Sequence, residues 1–288
     1  MFLRDLLLPP GWYPREKADI ETFLRPFSGG GQSSAAAVAP HAGWYYSGHT
    51  AALSVSCLDA EAETVAVIGG HLPGGMPILF AGEDGVKTPF GAMKIDGELR
   101  EEFKKQVSPG INTVRPDRYE DNTVEVLLPM VHYFFPRASL LWLRFPSDLS
   151  SFEAGKLLAA SASTLGRQLV VLASTDLTHY GRNYGYSPHG RGKSALEWVK
   201  NVNDASFINA VLEGDPSVVL ERAERDKSAC SAGAVLGALG FCSSLGKTNA
   251  RLLDYRSSAS AGADIKGQGD DGDDIPDSFV GYAAIAFS

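Results

Sequence analysis

The chain is 288 residues long, 44% apolar and 21% charged, with a formal charge of −8. Those proportions exclude a disordered or low-complexity chain, and an acidic balance without clustered Lys or Arg excludes a nucleic-acid partner, whose phosphates must be neutralised by basic side chains. Cys57, Cys230 and Cys242 are too few and too far apart for a disulfide framework, so a reducing, cytoplasmic setting is expected.

In chain order, Met1–Leu8 is broken by two charges and followed by Pro9-Pro10, unlike the unbroken core of a signal peptide. No later run approaches the roughly 18 apolar residues of a membrane span, so no membrane partner is expected. A helix is expected at Asp19–Leu24, then a Ser/Gly patch (Ser28–Ser34) leading into a strand that ends at His41. A helix over Thr50–Cys57 and a strand over Thr64–Ile68 complete a strand-helix-strand unit, which favours a right-handed parallel crossover. Pro77–Ala81 reads as a strand and Lys87–Lys94 as a hairpin or loop. Helical periodicity returns at Gly97–Val107 and at Val124–Phe135, where Pro129 must kink or restart the helix.

Ser139–Phe145 reads as a buried strand, Phe152–Leu165 as a helix and Gln168–Ala173 as the strand that precedes Asp176. Leu196–Val199, Ala205–Leu212 and Val218–Glu224 form a helical region, and Ser231–Phe241 a small-residue helix opening beside Cys230. Ala250–Tyr255 and Val280–Phe287 are the closing strands. Gly267–Asp277 between them is a solvated loop without the ligand spacing or terminal Glu of an EF-hand. With no repeat and no linker, residues 1–288 are expected to form one α/β domain.

Three apolar stretches carry the chemistry. Ala35–His41, Val65–His71 and Leu169–His179 each run through small residues into a histidine, the last passing Asp176. Short apolar runs of this kind are strands buried on both faces of a parallel sheet, and ligands of such sheets sit beyond the carboxyl ends of the strands. His41 and His71 are therefore candidate metal ligands, since neutral imidazoles held on rigid strand ends can converge on one ion. Cys230 at the first turn of a helix is a third, because unsatisfied helix amides favour a thiolate. Asp176 and His179, three residues apart, are candidates for proton transfer.

Glu120, Asp121 and Glu125 read as an acidic helix start, and His49, His132 and His189 as structural or exposed. No phosphate loop is present. Ala229-Cys230-Ser231-Ala232-Gly233 lacks the first glycine of a hydrolase elbow.

Gly11-Trp12-Tyr13-Pro14, Ala39-Pro40-His41-Ala42-Gly43-Trp44-Tyr45-Tyr46-Ser47-Gly48, Ser174-Thr175-Asp176-Leu177-Thr178-His179-Tyr180 and Val280-Gly281-Tyr282-Ala283-Ala284, in that order, make the chain resemble the Memo family, the middle partner of the AmmeMemoRadiSam gene trio. Memo proteins look like class III extradiol dioxygenases, ring-cleaving enzymes that use non-haem iron. The resemblance implies a single three-layer αβα domain around a mostly parallel or mixed sheet. It also implies His41 and His71 as the two histidine ligands, Cys230 where the dioxygenases place a glutamate, His179 as acid/base and Asp176 as its neighbour in the cleft. AMMECR-type and radical SAM proteins are the partners that the family association implies.

Thiolate in place of carboxylate softens the site toward copper(I) or zinc and alters iron chemistry. The chain departs from its relatives at Gly69-Gly70-His71, where they carry Gly-Pro-Asn/Ser-His, and at Asn122, where histidine is common. Asparagine does not ionise, so a proton-transfer role at that position is lost. Three functions are open on this reading. The first is a mononuclear redox protein with iron or copper (or zinc) on His41, His71 and Cys230, acting on a small organic substrate or oxygen, with His179 and Asp176 moving protons. The second is a binding protein without turnover whose cleft is lined by Trp44, Tyr45 and Tyr46. The third is a cysteine hydrolase using Cys230 with His179.

Overall fold

The three histidine-bearing stretches become neighbouring strands in the structure, a computed structural model that describes residues 2–29, 33–107, 111–260 and 275–288. The elements in order are β1 (Leu3–Arg4), α1 (Lys17–Leu24), β2 (Ala36–Ala39), α2 (Trp44–Ser56), β3 (Thr64–Leu72), β4 (Ile78–Phe80), β5 (Gly85–Thr88), β6 (Gly91–Lys94), α3 (Gly97–Val107) and β7 (Val114–Pro116). There follow α4 (Asn122–Glu125), α5 (Leu128–Phe134), β8 (Ser139–Pro146), α6 (Ser150–Thr164), β9 (Leu169–Ser174), β10 (His179–Gly181), α7 (Lys193–Trp198), α8 (Ala205–Glu213), α9 (Pro216–Arg225), α10 (Ala232–Leu245), β11 (Ala250–Ser257) and β12 (Ser278–Phe287).

The main sheet runs β10-β12-β2-β9-β3-β8-β4-β7, with β11 also paired to β12. Its centre is parallel: β2 pairs β9 at Ala36↔Val171, β3 pairs β9 at Val65↔Val170, and β3 pairs β8 at Val65↔Leu140. The margins are antiparallel, with β12 against β2, β10 and β11, and β4 against β8. A separate small sheet, β1-β5-β6, ties the N-terminal arm to the Lys87–Lys94 hairpin.

Side chains alternate along each central strand, so Ala36 and Val38 enter one apolar core while Ala37 and Ala39 enter the other. Residues of α3, α6, α8, α9 and α10 fill the first core and residues of α1, α2 and α5 the second. The result is a three-layer αβα fold around a mixed sheet, and β2 and β9 are buried at every position because both faces are covered.

Local chemistry explains most boundaries. Asp215 caps α9 by accepting from the amides of Ser217 and Val218, and Pro216 sits in its first turn. Pro129 falls in the first turn of α5, so the expected 124–135 helix restarts there instead of continuing. α3 spans Gly97–Val107 as its period predicts, with Leu99, Phe103 and Val107 inward.

Other elements differ from expectation. α2 starts at Trp44, not Thr50, because Gly43 ends the turn and the polar residues Ser47 and Thr50 are buried within the helix. β1, β7 and β10 are short strands that carry no periodic signal of their own. The helical region after Lys193 is continuous through a π-turn at Val199–Asp204. Of the Ser28–Ser34 patch, residues 30–32 lie outside the described residues, and of the Gly267–Asp277 loop, residues 267–274 do. No helix among the described residues is long and apolar enough to cross a membrane.

α6 and α10 lie in backbone contact in the first core: a Cβ added to Gly155 would stand 2.0 Å from the Gly237 carbonyl oxygen. Neither backbone can yield without separating the helices. Gly155→Ala is expected to destabilise the fold by about 2–3 kcal/mol, read as a lower denaturant midpoint at unchanged slope. An unchanged midpoint would refute this close approach.

Candidate metal centre

Because β2, β9 and β3 are adjacent and parallel, their carboxyl ends open on one edge of the sheet. His41 lies just past β2, His71 near the end of β3, Asp176 just past β9 and His179 at the start of β10, which pairs with β12. All four line one cavity of about 540 Å³, together with Asn122 and Tyr282. Cys230 arrives from the opposite direction, immediately before α10, and its amide donates to the Asp176 carbonyl at 3.2 Å. The neighbouring Ser231 amide donates to Thr175 Oγ1 at 3.1 Å. Thus the strand that brings Asp176 also fixes the thiol.

Cys230 Sγ lies 3.2 Å from His41 Nε2, and the ligand atoms of His41, His71 and Cys230 all fall within 4.8 Å of one another. Metal–nitrogen and metal–sulfur bonds of about 2.0–2.3 Å space tetrahedral donors roughly 3.3–3.7 Å apart, so small side-chain adjustments bring this set to coordinating distance. The outer partners fit as well. His41 Nδ1 meets Ser174 Oγ at 2.9 Å and His71 Nδ1 meets Asp121 Oδ2 at 3.1 Å. Donation from both Nδ1 atoms leaves both Nε2 lone pairs toward the shared centre. Three protein donors leave further coordination positions, as in catalytic sites rather than closed structural ones.

The ionisation states follow from burial and charge. Burial alone raises a thiol, but the charge and hydrogen bond of His41, with those of His71, outweigh it and hold Cys230 well below its ordinary value. Burial likewise disfavours a charged His71, yet the hydrogen bonds of Asp121 and Cys230 push it up to about 10. Burial acts to raise Asp121, and His71, Arg144 and Thr123 together bring it down to about 2. His41 is raised against its own desolvation by Cys230 and Asp176. For Asp176 burial dominates and raises the carboxyl. Without metal, the cluster is therefore a thiolate beside imidazolium, with His41 buried, Cys230 half-buried and His71 open to solvent.

Several supporting residues lie outside the residues that the sequence singled out as chemical. Asp121 does cap α4 through the Thr123 amide, and it also bridges His71 to Arg144, whose guanidinium lies 3.1 Å away. Arg144 is 4% exposed. It donates from Nε to the Gly70 carbonyl at 3.0 Å and contacts Asp117 at 3.4 Å. A charged residue interrupting the apolar run Leu140–Phe145 was the available signal. Glu125, expected as part of an acidic helix start, instead accepts from the amides of Leu7 and Leu8 and from the Tyr13 hydroxyl, anchoring the N-terminal arm. Asn122 donates to the His41 carbonyl at 2.9 Å, a positioning contact that requires no ionisation.

Asp176 Oδ1 accepts from the His41 amide at 2.7 Å, so its carboxylate is aimed at His41. His179 directs Nδ1 to the Leu177 carbonyl at 3.1 Å, which leaves Nε2 as its available acceptor, and its ring stands edge-on to Tyr184. The turn between them is held by Asp204, wholly buried, which accepts from the Thr178 amide at 3.1 Å and from the Tyr255 hydroxyl at 2.7 Å. Burial raises that carboxyl to about 7. His132 bonds Thr88, His49 pairs with Asp254 and His189 stacks on Trp198, all remote from the cluster.

His71 has φ +56, a left-handed conformation that is costly for a side chain of this kind, at a point where β3 loses register with β8 between Gly69 and Leu72. The paired glycines before it permit close approach. A Cβ on Gly69 would meet Thr123 Oγ1 at 2.2 Å, and one on Gly70 would meet Ser231 Cβ at 2.3 Å.

The profile of the Memo-like protein family matches residues 10–285. A MEMO1 family protein of Pyrococcus abyssi is 32% identical over 279 residues, covering 92% of this chain and 91% of its own length. One of Methanosarcina mazei is 30% identical over 294 residues, covering 99% of each. Among solved structures, an uncharacterized protein of Escherichia coli K12 aligns with a TM-score of 0.39 at 13% identity, over 76% of this chain and 86% of its own.

Two outcomes are expected from this geometry. Gly70→Ala should displace Ser231 and with it Cys230, weakening zinc binding at least tenfold in a chelator competition; retention of full affinity would remove the argument. In metal-free protein at pH 7, iodoacetamide should alkylate Cys230 alone, since burial pushes Cys57 up to about 11 and Cys242 up to about 12. Peptide mass mapping that finds the three thiols equally labelled contradicts the assigned thiolate.

Proposed function

The chain belongs to the Memo-like protein family, and from that premise we propose that it is a mononuclear metal protein in which His41, His71 and Cys230 hold iron or copper and the adjoining cavity receives a small organic substrate or oxygen. The observation that carries this reading is the convergence of two imidazoles and one thiol within 4.8 Å of one another, with both outer imidazole nitrogens already partnered. A nitrogen and sulfur donor set suits copper(I), zinc and iron, and a bound ion of these metals would supply Lewis-acid or redox chemistry.

The chain's own groups would do the rest. Asp121, fixed by Arg144, holds His71 in one orientation, and Asp176 holds the backbone of His41. His179 presents Nε2 to the same cavity, where it can accept a proton from a substrate hydroxyl and later return it. Asn122, in the place where relatives carry histidine, binds and orients without exchanging protons.

The cysteine-hydrolase reading pairs Cys230 with His179, whereas the imidazole within 3.2 Å of the thiol is that of His41. Redox binding chemistry is accordingly the reading with more support. The partner association with AMMECR-type and radical SAM proteins and the cytoplasmic setting belong to the same proposal.

Anaerobic metal titration of wild type, His41→Ala and Cys230→Ala tests it: one equivalent of iron(II) or copper(I) is expected in the wild type, with at least a hundredfold loss of affinity in either variant. Equal metal content in all three proteins removes the site. The pH dependence has a defined sign. His71 is raised to about 10 in the metal-free fold and His41 is raised as well, so imidazole protons must leave for metal to bind, while Cys230 is already ionised. Affinity should therefore rise at least roughly tenfold per pH unit between about pH 7 and 9, with about one to two protons released per metal. Calorimetry in buffers of different ionisation enthalpy reads those protons directly, and an affinity flat in pH contradicts the assignment.

A further inference from the structure

A second and larger cavity, about 1020 Å³, opens against the first. Gly11 and Tyr46 line both, so the two cavities adjoin at these residues and have unlike linings. The inner end carries His41, His71, Asn122, Asp176 and His179. The outer cavity is walled mainly by Phe23, Phe27, Trp44, Tyr45 and Leu53, with Arg15, His49 and Arg256 also on its lining. Its rings are set at the separations aromatic pairs prefer, 5.1 Å for Phe23–Trp44 and 6.3 Å for Phe23–Phe27. Tyr45 and Tyr46 are 57% and 51% exposed, with rings perpendicular at 5.0 Å.

We infer that the substrate is an amphiphile: an oxygen-bearing head that reaches the metal cavity and an apolar, ring-bearing body that runs past Tyr46 into the aromatic cavity. This rests on the metal reading of the inner site and extends it to a substrate class. The physical reason is the division of the lining. A small polar substrate would be housed entirely by the inner cavity and would leave the aromatic walls hydrated, although covering apolar surface is the largest favourable term available to binding. A wholly apolar ligand would leave the imidazoles, carboxylate and amide of the inner end without hydrogen-bond partners, which is costly. Only a molecule with both parts satisfies both ends. The outer volume is of the size of a small-molecule site, and its position beside the inner cavity, across Gly11 and Tyr46, favours a small molecule that spans the two.

The zinc-loaded protein and a series of hydroxamic acids, whose heads bind metals through two oxygens, test the inference by calorimetry. Zinc content is measured on every sample. In the wild type, 4-phenylbutanohydroxamate should bind at least thirtyfold more tightly than acetohydroxamate. In Leu53→Asp and in Tyr45→Asp the gain over acetohydroxamate should fall below threefold, Tyr45 being the exposed position at which substitution leaves folding least affected. A wild-type affinity independent of the body, or a gain that survives both substitutions, overturns the amphiphile. If the wild type takes up no zinc, the metal reading fails instead, and the outer cavity is judged by a neutral ring-bearing probe, N-phenyl-1-naphthylamine, in metal-free protein. Saturable fluorescence enhancement lost in Tyr45→Asp sustains an apolar body in this cavity, and its absence in the wild type overturns it.

Discussion

The parallel run of β2, β9 and β3 is the constraint from which the candidate site follows. Their pairing registers align Ala36 with Val171 and Val65 with Val170, so three segments far apart in sequence end on the same edge of the sheet. Each strand is buried on both faces, and its backbone groups are satisfied by its neighbours. The polar residues that follow are thus carried to the rim by elements that cannot slip by one residue without exchanging their two cores. A metal centre needs donors held on rigid supports, and the sheet supplies that rigidity.

At the rim, charge is organised as a chain. Arg144 is held between Asp117 and Asp121, Asp121 meets His71, and His71 and His41 lower the Cys230 thiol. Its buried members Arg144 and Asp117 could not be held there singly at tolerable cost. The close approach of β3 to α4 and to the start of α10 makes the chain possible, and Gly69 and Gly70 are the residues that allow it. The Gly69-Gly70-His71 segment is therefore accommodated by close backbone contact, with His71 in a left-handed conformation at its end. The thiol contributes a softer donor than a carboxylate, and the cleft beyond it is split between a polar inner part and an aromatic outer part.

Much of this was legible from local chemistry. Short apolar runs marked β2, β3, β8 and β9, the run of β8 despite Arg144, helical spacing marked α3, and Pro129 marked the restart at α5, because each signal comes from the residues of the element itself. The placement of His41 and His71 at one sheet edge was legible for the same reason, since a histidine after a buried strand has one edge to occupy. β1, β7 and β10 were not, for strands of two or three residues have no periodicity and exist only through their partners. The roles of Glu125 and Arg144 were also hidden. Glu125 looks like a helix-start carboxylate until the N-terminal arm crosses it, and Arg144 looks like an interruption until Asp117 and Asp121 flank it.

By itself, the sequence determined the αβα layering, the strands that end in histidine and the donor types His41, His71 and Cys230, because binary patterning and residue chemistry are local properties. Only the tertiary structure decided that these side chains converge, that Asp176 faces His41, that Asp121 and Arg144 complete the outer contacts, and that the cavity beside them adjoins an aromatic-walled one. Those facts depend on the register of parallel strands and on contacts between residues as far apart as His41 and Cys230, and no local pattern encodes a distance across the fold.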